Sequence, residues 1–97
     1  KIEDLKIFIR DLNKEDISKR NLPKNTSGVV VTKIEEGSPL IFVSENDLIV
    51  ELQKKKVVSS KQFSKLIKDI IKSGEKTLYL AIYNSGNQRS YITVKLK

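Results

Sequence analysis

Residues 28–63 read GVVVTKIEEGSPLIFVSENDLIVELQKKKVVSSKQF, and the order of elements within them decides the fold. A glycine followed by three valines begins the stretch, and such a dense run of β-branched residues favours a half-buried strand. Val29 and Val31 share one face of this strand, whereas Ile34 is out of step by one residue. The shift predicts a bend or a bulge near residues 32–33.

Two turns and a second strand follow. The Gly-Ser-Pro turn at 37–39 supplies a capping hydroxyl and a proline suited to the start of a short helix. The Asn-Asp pair at 46–47 leads a predicted strand over residues 48–52, and a lysine-rich turn joins that strand to a helix beginning at Ser59. Between the two turns lie four bulky apolar residues, 40–43. We expect at least two of them in the core, and any exposed remainder to form a contact patch for a neighbouring domain or subunit.

Residues 59–73 form the clearest helix of the sequence. Ser59 and Gln62 have the spacing of a capping box, and Gly74 stands where a helix C-cap belongs. Apolar residues recur every three or four positions, which gives a stripe wide enough to face both a sheet and a groove. The stripe consists of Phe63, Leu66, Ile67, Ile70 and Ile71.

Further strands are predicted on both sides of this region. Leu5, Ile7 and Ile9 alternate with Lys6, Phe8 and Arg10, which has the period of a strand with one buried face. Residues 77–83 and 90–96 alternate strictly, and an Asn-Ser-Gly-Asn segment joins them as a hairpin. A short helix begins at the N-cap Asn13. The sequence therefore predicts a single domain over residues 1–97 of the α+β class, mainly β. We expect a partly open β-barrel or sandwich of about five or six strands, capped by one long helix and one or two short ones.

Most of the core is expected at the inward positions of the predicted strands and on one face of the long helix. Such positions are apolar and recur at the strand or helix period. The residues expected to be buried are Val29, Val31, Ile34, Leu48, Val50, Leu66, Leu78, Leu80, Ile92 and Val94.

The residues that most catalytic and metal sites need are missing. The 97 residues include no cysteine and no histidine, which removes the thiolate nucleophile, the usual general base and the commonest metal ligand. Serine and lysine are both abundant, so Ser64 beside Lys65 is better explained by a helix surface than by a Ser-Lys dyad. The acidic residues form no catalytic pair. We expect no catalytic activity, no metal and no cofactor in this chain.

The net charge of +7 comes from 19 Lys and Arg against 12 Asp and Glu. A basic balance permits nucleic acid or an anionic membrane as a partner. However, the lysines are spread along the chain, and their one dense cluster, at 54–56, lacks interleaved aromatic residues for base stacking. No apolar run approaches the roughly 20 residues of a membrane-spanning helix. We expect neither nucleic acid as a partner nor a membrane span.

The order and spacing of these elements resemble a PDZ domain, most closely the bacterial type found in the HtrA/Do (DegP-type) serine proteases. The likeness rests on the glycine-led strand at 28–31, the Gly-Ser-Pro turn at 37–39, the Asp-led strand at 46–50 and the helix start from Ser59 to Phe63. With the flanking segments it covers nearly the whole chain.

The resemblance implies a peptide groove between the first strand and the long helix. An extended peptide would add to the strand edge through main-chain hydrogen bonds and place alternate side chains between strand and helix. The backbone amides of Lys6, Ile7 and Phe8 would receive a terminal carboxylate. Ile7, Ile9 and Ile67, with either Ile70 or Ile71, would form an apolar pocket wall. The implied groove residues are Leu5, Lys6, Ile7, Phe8 and Ile9 on the strand side and Phe63, Ile67, Ile70 and Ile71 on the helix.

Lys6 departs from the pattern of this family, which usually has a hydrophobic-Gly-hydrophobic motif where this chain has Leu5-Lys6-Ile7. Glycine reaches positive φ and allows close backbone approach, whereas lysine resists the first and obstructs the second. We therefore expect weak binding of C-terminal peptides or none. The departure also suggests that the domain is the last, or second, PDZ domain of its parent.

The resemblance implies that the parent is a homo-oligomeric periplasmic serine endoprotease that acts in protein quality control, with its trypsin-like domain upstream of this chain. The chain begins at Lys1 without a methionine or a signal-peptide pattern, which predicts that it is part of a longer protein. One function is recruitment of unfolded substrates or C-terminal peptides. The alternative is an assembly module that contacts other domains or subunits, with the groove blocked or unused. Lys6 and the bulky residues 40–43 favour the assembly module.

Overall fold

The computed structural model describes residues 1–96. Six strands form one antiparallel sheet in the order β1-β2-β3-β5-β6, with the short β4 paired to β3, so that β1 and β6 are the outer strands of this order. The sheet does not close into a barrel, and the predicted α+β fold is confirmed. The strands are β1 (Ile7–Asp11), β2 (Val29–Ile34), β3 (Leu48–Leu52), β4 (Lys55–Lys56), β5 (Thr77–Tyr83) and β6 (Arg89–Lys95). The helices are α1 (Lys14–Lys19), α2 (Ser60–Lys72) and a 3-10 turn at Glu3–Leu5.

The first two strands contain the predicted bulge. Phe8 lies opposite Lys33, but Ile9 lies opposite Val31, so Thr32 is the extra residue on β2. An extra residue on one strand increases the local twist. The prediction made from the misplaced apolar residue at the end of β2 is therefore confirmed.

The first strand starts later than predicted. Residues Glu3–Leu5 form a 3-10 turn, and Lys6 has φ 52° and ψ 45°, in the left-handed region. Strand β1 therefore begins at Ile7 and not at residue 5. The expectation that a lysine at this position would resist positive φ is wrong, because Lys6 adopts the conformation that glycine takes most easily.

Helix α2 has the predicted ends. The Ser59 hydroxyl accepts a hydrogen bond from the Gln62 amide at 3.1 Å, and Gly74, with φ 86°, stands just beyond the last helical turn. The Gln62 side chain accepts from the amide of Val58 at 2.8 Å. Capping therefore uses both predicted residues, but the return bond reaches one residue further back than in a standard capping box.

The core matches most of the prediction. Seven of the ten predicted residues are buried, and Ile34, Leu66 and Ile92 are half-buried against the same core. Phe63 and Ile67 of α2 are also buried, which anchors the helix over the sheet. The seven are Val29, Val31, Leu48, Val50, Leu78, Leu80 and Val94.

The apolar segment at 40–43 forms a tight turn in which the Val43 amide donates to the Leu40 carbonyl at 3.3 Å. Leu40 and Val43 are buried, whereas Ile41 and Phe42 are 77% and 70% exposed. The expectation that at least two of these four residues belong to the core is confirmed.

Candidate peptide groove

The side chains of β1 point to two different surroundings. Ile7 is fully buried, and Ile9 is half-buried against the same core. The Phe8 ring lies outside that core, 5.5 Å from the Lys1 ammonium and 5.7 Å from the Lys33 ammonium. Ile7 and Ile9 therefore supply the apolar side chains that the sequence predicts for this strand, and Phe8 does not.

The backbone of β1 has one open edge. Lys6 accepts from the Glu35 amide at 2.9 Å, and the Leu12 amide donates to Gly28 at 3.3 Å, so the backbone groups at these even positions face the β2 side. Backbone groups alternate between the two sides of an antiparallel strand. The residues whose N–H and C=O groups face this edge are therefore Ile7, Ile9 and Asp11, and those of Ile7 are already bonded to Ile2.

Helix α2 has two different flanks. Leu66 and Ile70 line a cleft of about 330 Å³ together with Leu52, on the side of β3. The opposite flank faces β1, because the Ser60 amide donates to the Asp11 carboxylate at 2.6 Å. At about 100° per residue, helix geometry places Ser64, Ile67 and Ile71 on the same side of α2 as Ser60. Ile67 is buried, so Ser60, Ser64 and Ile71 are the solvent-accessible residues of this flank.

The helix residues predicted for the groove lie on different sides of α2. Ile71, 37% exposed, lies on the β1 flank, whereas Ile70 lies on the β3 flank. Phe63 and Ile67 are buried and form the floor between the flanks. A peptide between β1 and α2 would therefore have the half-buried Ile9 and the exposed Ile71 as apolar walls, with Ser60 and Ser64 beside them.

The amides at the start of β1 already have acceptors. Leu5 and Ile7 both donate to the Ile2 carbonyl, at 3.1 and 3.4 Å, and Lys6 donates to the Glu3 carbonyl at 3.2 Å. A terminal carboxylate reaches these amides only if the N-terminal turn moves. The Phe8 amide belongs to the β2 side of the strand, so it is directed away from the groove.

Two side-chain contacts hold the N-terminal turn. The Lys1 ammonium pairs with the Glu35 carboxylate at 2.7 Å, and this hydrogen bond raises the pKa of Lys1 and lowers the pKa of Glu35. The Ser38 hydroxyl donates to the Leu5 carbonyl at 2.6 Å. The Gly-Ser-Pro turn is therefore fastened to the residues that precede β1.

The Lys6 side chain lies over the Gly37 turn and not over the open edge. A Cβ atom added at Gly37 would lie only 3.2 Å from the Lys6 ammonium. Lys6 is therefore not a steric block at the groove, and the hydrogen bonds of the turn are the obstacle to a carboxylate.

Other kinds of site find no support in residues 1–96. These residues contain no cluster of three or more acidic side chains that could hold a metal ion. Over the same range, no helix combines the length and the apolar character needed to cross a membrane.

Among solved structures, 55 chains match this one. No protein-family model matches the chain, and no curated protein matches it. A structure described as "Crystal Structure of the HtrA3 PDZ Domain Bound to a Phage-Derived Ligand (FGRWV)" is similar, with a TM-score of 0.71 over 96% of this chain and 83% of that chain. The chain has a PDZ fold. The sequence identity to this PDZ domain is 19%, so the likeness establishes the fold alone.

The sequence reasoning missed two features of the site in this PDZ fold. One is the N-terminal turn, in which Ile2 is buried; its three-residue spacing from Leu5 is typical of a helical turn and not of a strand. The other is the bond from Asp11 to the start of α2, which joins residues 49 positions apart. No local pattern indicates that bond.

Proposed function

We propose that this chain is a non-catalytic protein-interaction module that binds an extended segment of polypeptide at the open edge of β1. The observation that carries the proposal is the open edge itself, which lies beside the flank of α2 that contains Ile71. Edge backbone groups supply main-chain hydrogen bonds, and the apolar walls at Ile9 and Ile71 select side chains.

The parent that best fits is an HtrA/Do-like serine endoprotease of the periplasm, homo-oligomeric, with this chain as its C-terminal PDZ domain. The order of strand, Gly-Ser-Pro turn, Asp-led strand and serine-capped helix supports this parentage, and the fold shared with an HtrA3 PDZ domain is consistent with it. In such a protein the module recruits unfolded substrates or C-terminal peptides, or regulates the protease.

A second candidate is an assembly module that contacts another domain or subunit. Two observations favour it: the amides at the start of β1 are already bonded within the chain, and Ile41 and Phe42 are exposed side by side. Adjacent exposed apolar residues on a tight turn provide a small contact surface.

A screen of fluorescent C-terminal peptides at low and moderate salt separates the candidates. Selectivity for a hydrophobic last residue supports the peptide module, and Ile71→Glu should then weaken binding at least tenfold, about 1.4 kcal/mol. The matched variant Ile41→Glu should leave binding unchanged. The absence of binding to any peptide of the screen favours the assembly module. Steeply salt-dependent, unselective binding would contradict both candidates and indicate a polyanion partner.

A further inference from the structure

The first residues of the chain lie on the open edge of β1 as an added antiparallel segment. Ile2 forms a bridge with Ile7. The Ile2 amide donates to the Ile7 carbonyl at 2.8 Å, and the Ile2 carbonyl accepts from the amides of Leu5 and Ile7. Ile2 therefore uses the acceptor and two of the donors that the start of this edge offers.

The side chain of Ile2 lies on the core side of the strand. Residues directly opposite each other in an antiparallel pair direct their side chains to the same face. Ile7 is fully buried on that face, and Ile2 is 6% exposed and belongs to the same core cluster as Ile67 of α2. Its side chain thus fills apolar space shared by β1 and the helix.

A polypeptide end that adds to a strand edge has three requirements. Its last N–H needs an acceptor, its carboxylate needs backbone donors, and its last side chain needs an apolar pocket. The Ile2 amide donates to the Ile7 carbonyl, and the Ile2 carbonyl accepts from the Leu5 and Ile7 amides. The Ile2 side chain lies in the apolar space under α2. One residue of the chain therefore satisfies all three parts of the site.

We infer that Ile2 is a built-in occupant of the groove, in the place of the last residue of a ligand, and that the ligand binds by displacing it. The inference rests on the proposed peptide-binding function. The ligand is a chain end with a branched aliphatic last residue, because the pocket is shaped around an isoleucine. Its free carboxylate takes over the amide bonds that the Ile2 carbonyl now accepts.

Residues 1–2, the cover over the start of the β1 edge, are held by contacts that permit their release. The Lys1–Glu35 ion pair is partly exposed, with about a third of each side chain accessible, and such pairs contribute little to stability. Burial of the Ile2 side chain is therefore the main anchor of residues 1–2, whereas the Ser38 hydroxyl holds the Leu5 end of the turn. Lys6 already has the left-handed conformation, so the loop needs no glycine to expose its amides.

The direction of the added segment constrains how the site is tested. Since Ile2 runs antiparallel to β1, any residue attached before Lys1 would continue along the edge toward Ile9 and Asp11. Binding is therefore measured with any tag at the C-terminal end of the chain, away from this edge.

The test compares two glycine variants in a fluorescence anisotropy titration. Ile2→Gly removes the proposed occupant, and Ile41→Gly removes an equal side chain from an exposed position. The probe is a labelled peptide ending in isoleucine, with either a free carboxylate or a C-terminal amide. The free acid should bind Ile2→Gly at least tenfold more tightly than the unmodified chain, about 1.4 kcal/mol. Ile41→Gly should bind the free acid with the same affinity as the unmodified chain. The peptide with a C-terminal amide should show little of the increase in affinity for Ile2→Gly.

The outcomes separate this inference from the function on which it rests. Equal, carboxylate-dependent binding by Ile2→Gly and the unmodified chain overturns the role of Ile2 and leaves the peptide module intact. No binding by any form, to this peptide or to a library of hydrophobic chain ends, overturns both. If circular dichroism shows that Ile2→Gly is unfolded, Ile2→Ala provides the same comparison with a smaller backbone effect.

Discussion

The two edges of the sheet are protected in opposite ways. Along β6 the side chains of Arg89, Tyr91 and Lys95 are exposed, and a second copy pairing antiparallel about Ile92 would set Arg89 against Lys95. Like charges directly opposite each other disfavour such pairing. At the start of β1, by contrast, Ile7 is buried and its backbone is covered by the N-terminal turn. On the proposed function, β1 binds a strand, and the start of its edge is covered by a segment of the chain rather than by charge.

The charge on β6 is held in a fixed position. The Arg89 guanidinium lies 5.5 Å from the ring centre of Tyr83 and 5.3 Å from that of Tyr91, and it pairs with Glu51 at 2.9 Å. Hydrogen bonds to the hydroxyls of Tyr83 and Tyr91 raise the pKa of Arg89. Arg89 therefore stays cationic and in place at any pH where the domain is folded.

The largest expected effect concerns the helix that forms one wall of the β1 groove. Phe63 is fully buried under α2, so Phe63→Ala should lower the free energy of unfolding by about 3–5 kcal/mol. Leu66→Ala removes a half-buried side chain, and its cost should fall below that of Phe63→Ala. Urea unfolding followed by circular dichroism measures both. Equal losses of unfolding free energy in the two variants would show that the burial pattern assigned to α2 is wrong.

The next effect concerns the cover itself. Ile2 is almost completely buried, so Ile2→Ala should cost about 2 kcal/mol of unfolding free energy, the low end for a buried isoleucine. Ile41→Ala, at 77% exposure, should change stability by less than about 0.5 kcal/mol. Thermal unfolding of the two variants side by side provides the measurement. If both variants have the unmodified chain's stability, the N-terminal turn does not cover β1 in solution.

A smaller effect depends on pH and concerns the outer end of β1. The Arg10 guanidinium donates to both oxygens of Asp16 in α1, at 2.7 and 2.8 Å, and holds the pKa of Asp16 at about 2, below its usual 3.8. Because the folded-state pKa is lowered, the stabilisation is present above the unfolded-state pKa and is lost as the pH falls from 3.8 to about 2.

Replacing Asp16 by Asn should therefore cost about 1 kcal/mol near neutral pH, a value reduced by the exposure of Arg10. The difference in unfolding free energy between this variant and the unmodified chain should shrink toward zero as the pH falls to about 2. Unfolding curves recorded across this pH range test the sign. A difference that grows as the pH falls would contradict the assigned pair.

The smallest effect on stability is expected at β6. Replacing Arg89 and Lys95 by Thr removes the like charges of the edge and a partly exposed ion pair, at a cost of about 1 kcal/mol or less. The double variant should self-associate more than the unmodified chain as its concentration rises, measured by sedimentation velocity. Unchanged sedimentation would show that charge is not what protects this edge.

Local patterns predicted the framework well because local physics decides it. The valine run, the serine cap of α2 and the hairpin of β5 and β6 depend on residues close in sequence, and each appears as predicted. The bulge at Thr32 was also visible as a break in the apolar period.

The groove was harder to predict because long-range contacts decide its shape. The N-terminal turn depends on the bond from Ser38 to Leu5 and on the Lys1–Glu35 pair, which join residues more than 30 positions apart. The alternation at residues 5–9 indicated a strand throughout, and nothing local favoured a left-handed Lys6. Ile70 and Ile71 could be told apart only when the Asp11–Ser60 bond fixed which flank of α2 faces β1.

The central claim is that a polypeptide end adds to the edge of β1 in the place of Ile2. A titration of the ¹⁵N-labelled chain with a peptide ending in isoleucine, followed by NMR and amide hydrogen exchange, tests it most directly. We predict that the amide signals of Ile2, Ile7 and Ile9 shift, that Ile2 loses its protection from exchange, and that the amides of β6 do not respond. Shifts confined to β6, or binding that leaves Ile2 protected, would contradict the claim.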